Sequence, residues 1–279
     1  MRTERFDSNE SSHGPSLRRS ANEATTAVKS ADRALIVLEH LAQVGTAQSL
    51  AEIADALDIP RSSLHGLLRT MAGRGWLAVY DDDAGVKYRI GAQALTVGAS
   101  FLLGDDIVTR AAKLLDAISL ELGETIHLGV LEGTEVVYLA KRDARHSLRL
   151  VSGVGVRLPA YATALGKVLM AELAEDSLRP RLAAPRRRLT PNTLVEEADL
   201  RADLYETKAR GYAIDDQEST EGVRCFAVAL GTSTPRTHAI SCSTPVARLD
   251  VRLERRIVDL LMRAAESFDE PAGINILRR

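Results

Sequence analysis

Between Ser49 and Gly75 the chain sets two short apolar stripes at helical spacing on either side of a three-residue turn, and few folds accept that arrangement. Ser49 and Glu52 have the Ser-x-x-Glu spacing of a capping box, which satisfies orphan N–H groups at a helix start. Leu50, Ile53, Ala54 and Leu57 follow as its buried stripe. Asp58-Ile59-Pro60 then makes the turn, where proline's missing N–H costs nothing at a first helical position. A second helix over residues 61–72 carries Leu64, Leu67, Leu68 and Met71 on one face and closes at Gly73 and Gly75. Upstream, Ser30 is the expected N-cap of a helix bearing Leu35, Leu38, Leu41 and Ala42, ended by Gly45. Downstream, strand-like runs at 76–80 and 86–90 flank the acidic turn Asp81-Asp82-Asp83-Ala84-Gly85. Helix, short helix, turn, helix, hairpin is the order of a winged helix-turn-helix, assigned here to residues 27–90.

In that unit the second helix of the pair enters the major groove with its N-terminal side chains at base edges. Here those side chains are Arg61, Ser62, Ser63, His65 and Arg69. Arginine pairs with guanine, serine serves base or phosphate, and helix N-terminal N–H groups favour phosphate. With Ser49, at the start of the preceding helix, they form the candidate DNA-contacting set. The chain as a whole has a formal net charge of -2 and gives no global signal for nucleic acid. Between Asp58 and Asp81, however, Arg61, Arg69 and Arg74 occur without any acidic residue, so the patch is locally positive. The bland alternative is a helical packing unit with a solvated basic face. The acidic wing tip reads as a hairpin turn rather than a groove insert.

At 279 residues the chain exceeds one typical domain, and a second domain is expected beyond the first. Residues 1–26 are polar and are expected to be a disordered tail, with no apolar export segment after Arg18-Arg19. Residues 91–104 read as an apolar linker helix with Leu95, Val97, Phe101 and Leu102. Residues 105–279 then alternate helix and strand. Helices are expected at 107–122, 162–173, 194–210 (ended by Gly211) and 247–268. Strands are expected at 125–131, 135–141, 148–151, 223–230 and 238–243. The whole is an α+β chain. Two cysteines, Cys225 and Cys242, make no disulfide framework and fit a reducing cytoplasm. No run approaches the roughly 18 apolar residues of a membrane span.

Catalytic signatures fail one by one. Gly98-Ala99-Ser100 and Gly231-Thr232-Ser233 lack the final glycine of a nucleophile elbow. Gly153-Val154-Gly155 lacks the third glycine of a dinucleotide fingerprint, and Gly166-Lys167-Val168 has neither the upstream glycine nor the Ser/Thr of a P-loop. No HExxH or CxxC occurs. The expectation is therefore no catalytic residue, no metal and no cofactor.

The segment SLAEIADALDIPRSSLHGLLRTMAGRGWL, followed by YRIGAQALTVG, resembles the DNA-binding half of IclR-family regulators. LPAYATALGKVLMAEL and GYAIDDQESTEGVRCFAVAL resemble two segments of that family's effector domain, in the same order. The resemblance implies a winged helix-turn-helix, a linker helix and a GAF-like α/β effector-binding domain. It implies homodimers, which often pair into tetramers, acting on operator DNA and controlling catabolic or metabolic genes; the sign taken here is repression. It also implies a small organic effector, with a carboxylate as the candidate class. Carried over position by position, the effector site comprises the backbone N–H groups of Ala164 and Leu165 with Asp215, Cys225, Ser241 and Ser243. Ser241 and Ser243 are two apart on a strand and face one side. Read from the residues alone, the alternatives are a core cysteine at Cys225, a turn at Asp215-Asp216 and core hydroxyls at the two serines, while His127 reads as structural and Lys167 as structural or surface. Gly66 departs from the family, whose members often carry arginine there. The rival readings are a sensing module that acts through proteins only and a hydrolase using Ser241.

Overall fold

The computed structural model describes residues 28–82, 85–145 and 152–269. The expected tail at 1–26, the strand at 148–151 and the wing-tip pair Asp83-Ala84 lie outside the described residues. The chain divides into two compact units between Val97 and Gly98.

In the first unit, α1 (Lys29–Val44), α2 (Leu50–Leu57) and α3 (Arg61–Gly73) pack against a small antiparallel sheet of β1 (Gln48–Ser49), β2 (Leu77–Asp82) and β3 (Gly85–Ile90), ordered β1-β3-β2. The core is Val37, Leu41, Ile53, Ala54, Ile59, Leu64, Leu68, Met71, Leu77 and Tyr88. The capping box forms as expected: the Glu52 N–H donates to Ser49 Oγ at 3.3 Å and the Ser49 N–H donates to Glu52 Oε2 at 2.6 Å. α2 stops because Asp58 adopts the left-handed conformation, at φ 51°, which short polar side chains tolerate. The turn to α3 then buries Ile59. One expectation fails. α1 begins at Lys29 after an uncapped Val28, so Ser30 is already inside the helix.

The apolar segment after the wing is α4 (Ala92–Leu103), and the division between units falls inside it. None of its residues is buried.

The second unit is a six-stranded antiparallel sheet with helices on both faces. Its strands are β4 (Thr125–Glu132), β5 (Glu135–Arg142), β6 (Arg157–Pro159), β7 (Ala213–Asp216), β8 (Val223–Leu230) and β9 (His238–Pro245), in the order β6-β5-β4-β9-β8-β7. Strand alternation separates two cores. On one face Ile126, Leu128, Phe226, Val228, Leu230, Ile240 and Cys242 pack with α5 (Asp106–Leu122) and α9 (Val251–Asp269). On the other, Val136, Tyr138, Ala227, Ala229 and Ala239 pack with α6 (Ala164–Met170), α7 (Glu175–Ala183) and α8 (Glu197–Arg210). β9 lies between β4 and β8 and is buried along its whole length. At its start the ring Nε2 of His238 lies 2.8 Å from Asp105 Oδ2. The other oxygen of Asp105 caps α5 by accepting the N–H groups of Ile107 and Val108.

The expected helix at 162–173 is shorter. A 3-10 turn (Ala160–Ala162) ends at Thr163, which is extended at φ -120° and caps α6. α7 was not expected, because Pro180 and its flanking arginines mask it. α8 opens at Glu197 rather than 194. Asp215 and Asp216 end a strand and do not form a turn.

Candidate DNA interface and effector site

The buried stripe of α3 fixes which side chains face outward. Leu64 and Leu68 are fully buried, so Arg61, Ser62, Ser63, His65, Gly66 and Arg69 are exposed around the opposite side. Pro60 offers no side-chain cap, so the first-turn N–H groups remain orphan donors. Arg61 Nη2 sits 3.5 Å from Asp55 Oδ1, with both side chains mostly in solvent. Such an exposed pair is worth little. Ser63 Oγ accepts from Arg33 Nη1 at 2.9 Å, which places a cation of α1 beside α3. Nothing in the sequence pattern linked those two positions. Ser49 is half-buried with its oxygen in the capping box. A Cβ at Gly66 would meet nothing within 4 Å, so the missing family side chain leaves open surface. On the wing, the Arg89 guanidinium lies over the Tyr80 ring at 5.3 Å.

The second unit assembles the other predicted residues by strand register. Thr125 on β4 pairs with Ser243 on β9, Ser243 with Cys225 on β8, and Cys225 with Asp215 on β7. One polar row therefore crosses four strands. The neighbouring row runs from His127 through Ser241 and Ala227 to Ala213. Both rows occupy the face against which α6 packs. Thr125, His127, Asp215, Ser241 and Ser243 are all buried, and Cys225 is half-buried. The Cys225 thiol donates to Ser243 Oγ at 3.2 Å, and burial, reinforced by Asp215, pushes its pKa well up. It is a neutral donor, not a thiolate nucleophile.

Burial pushes the Asp215 carboxyl up to about 7, against the pull of N–H bonds from Glu218 and Ser219. The Glu218 N–H reaches Asp215 Oδ1 at 2.7 Å and the Ser219 N–H at 3.3 Å. Glu218 carries the polar chain inward. Its Oε1 accepts from Lys167 Nζ at 2.5 Å, and Lys167 also lies 3.0 Å from Asp203 Oδ2 on α8. Lys167 is 0% exposed, so it is an interior residue and not a surface one. Burial raises the Glu218 pKa, with Lys167 opposing. On α6, Thr163 Oγ1 accepts the Gly166 N–H at 3.1 Å, and the Lys167 N–H bonds to Thr163 O at 2.9 Å. Among the described residues, no acceptor meets the N–H groups of Ala164 and Leu165.

His127 was not in the predicted set, yet register places it beside Ser241. Its ring stacks on Tyr138, with centroids 4.3 Å apart. Burial, helped by Lys141, holds its pKa down at about 4. The only available sequence signal was its even spacing from Thr125 on an alternating strand.

Both parts match domains of one known family. Residues 30–79 match the IclR helix-turn-helix domain, and residues 99–270 match the bacterial transcriptional regulator IclR C-terminal domain. The chain is 35% identical over 226 residues to the HTH-type transcriptional regulator XynR of Escherichia coli (strain K12), covering 80% of this chain and 88% of XynR. It is 32% identical over 232 residues to the transcriptional repressor IclR of the same organism, covering 81% and 83%. A solved IclR transcriptional regulator from Alicyclobacillus acidocaldarius superposes with a TM-score of 0.76 at 25% identity, covering 86% of this chain and 96% of that one. Two family domains in sequence order, on a fold with a solvent-facing second helix in its helix-turn-helix and a buried polar sheet face, leave one conclusion: the chain belongs to the IclR family and is a DNA-binding transcriptional regulator.

Proposed function

We propose that this regulator is a ligand-responsive repressor of catabolic or metabolic genes, working as a cytoplasmic homodimer without catalytic activity. The observation that carries the reading is the buried polar row Thr125-Ser243-Cys225-Asp215, with Ser241 beside it. Polar side chains collected on one buried sheet face, among small apolar residues, are the usual make-up of a small-molecule site. Two serine hydroxyls and the N–H groups of Ala164 and Leu165 are donors suited to a carboxylate, so the effector is a small organic acid. The sign of control follows the relative at 32% identity, which is a repressor. Dimerisation is supported by α4, where Leu95 and Leu103 are 75% and 82% exposed and Val97 and Phe101 about half exposed. That much apolar surface on one helix favours a partner. Two recognition helices would then meet half-sites about one DNA turn apart, roughly 34 Å.

Two results test the assignment. Arg61→Ala should lower operator affinity by about 1–3 kcal/mol and reduce the slope of log affinity against log salt by about 1. Fluorescence anisotropy across a salt series reads both; unchanged affinity and slope would discard α3 as the reading helix. Salt-dependent, sequence-selective binding by the parent protein also separates this reading from a module acting through proteins only. For the sensor, Asp215→Ala and Ser241→Ala should bind operator normally but answer weakly when effector is added. Full release by effector in both variants would place the ligand elsewhere. A ligand must favour one arrangement of the protein over another, or it shifts nothing.

A further inference from the structure

Among the buried polar groups on the ligand face of the sheet, His127 is satisfied at one ring nitrogen only. The side chain is 1% exposed. Its Nε2 lies 2.8 Å from Ser152 Oγ, and the backbone carbonyl of Ser152 is in turn held by Lys141 Nζ at 2.9 Å. Nδ1 is buried without a hydrogen-bond partner among the described residues. Buried polar atoms are normally paired, and one left unpaired is costly, so an orphan in a well-packed sheet calls for a reason. Flexibility is not that reason. The ring is stacked on Tyr138 with an interplanar angle of 21° and tied at Nε2, so Nδ1 points where packing aims it. The residues at 126 and 128 face the opposite core, which puts the imidazole on the face of Ser241, its register partner.

The ring's charge narrows what it can take. Burial and the nearby Lys141 keep the imidazole neutral at physiological pH. A neutral ring offers one N–H or one lone pair at Nδ1, and no charge. It suits a hydroxyl or carbonyl oxygen better than a second carboxylate. We propose that His127 is a specificity-determining ligand contact whose Nδ1 hydrogen-bonds an uncharged oxygen, hydroxyl or carbonyl, of a small carboxylic acid held on the Ser241–Ser243 side of the sheet. The proposal rests on reading that face as the effector site and goes further: it selects hydroxy- and oxo-acids over their plain parents.

The test uses full-length protein and matched acids that differ by one oxygen: propionate with lactate and pyruvate, and benzoate with 4-hydroxybenzoate. Binding is followed by calorimetry and by thermal shift, since a ligand specific to the folded state must raise the melting temperature. Wild type is expected to bind at least one oxygen-bearing acid about tenfold tighter than its parent. His127→Phe keeps a ring on Tyr138 and should bring that ratio close to one, while affinity for the parent acid and for operator stays put. His127→Gln restores a polar atom and should recover part of the preference; it also carries the test if the phenylalanine variant folds poorly. A preference that survives in both variants would overturn the role of His127 and leave the site standing. Failure of wild type to bind any of these acids would overturn the carboxylate reading itself.

Discussion

Replacing Gly166 with alanine is expected to destabilise the effector unit by about 1–3 kcal/mol, although the residue lies within α6. Helix propensity predicts the opposite sign, since alanine is better than glycine by about 1 kcal/mol inside a helix. The surroundings decide the matter. A Cβ at position 166 would stand 2.2 Å from Ala160 O, 2.3 Å from Ala160 Cα and 2.5 Å from Ala160 C. These are backbone atoms of the preceding 3-10 turn, so no side-chain rotation relieves the clash. α6 or the turn must move, and Ala164 and Leu165 move with them. Calorimetry of the full chain should show the transition of the second unit lowered, with operator affinity of the folded protein retained. An unchanged or raised transition would mean that α6 does not approach the turn this closely.

The second large effect is expected at Lys167. Removing one member of a buried ion pair leaves its partner charged and unpaired, at a cost of about 3–5 kcal/mol. Lys167→Met keeps the volume but strands Glu218 and Asp203, whose carboxylates the ammonium holds at 2.5 Å and 3.0 Å. Asp203 keeps some compensation from Arg210, 3.6 Å away, whereas Glu218 Oε2 has no hydrogen-bond partner among the described residues. The melting temperature should fall by roughly 6–20 °C for a unit of this size. Adding Glu218→Gln to Lys167→Met should recover part of the loss, because the neutral amide no longer needs a counter-charge. If the double variant melts no higher than the single one, the stabilisation attributed to this pair lies elsewhere.

Local signals placed α2, its turn and α3 in the first unit closely. The capping box, the turn at Asp58 and the stripe of α3 are local devices, each written within a few adjacent residues. The contact between Arg33 and Ser63 spans thirty positions and left no such trace. In the second unit the central strands were readable as apolar runs, but β6 is three residues long, too short to show alternation, as is the two-residue β1 of the first unit. The candidate effector residues came from family resemblance, and only strand register explains why Asp215, Cys225 and Ser243, on three separate strands, share a row. The interior position of Lys167 was illegible for a related reason. Its two partners lie 36 and 51 residues downstream, one on α8 and one in the bend after β7, and a lysine flanked by glycine and valine looks no different in solvent.

The grip of His238 on Asp105 ties together two parts of the chain that sequence holds far apart. The strand that presents Ser241 and Ser243 begins at that histidine, and the aspartate it holds is the first residue past the corner that follows α4. A sliding displacement of the strand along its own axis would therefore act on that corner through this contact. The innermost strand and the residue that caps α5 are thus tethered to one another through a single imidazole.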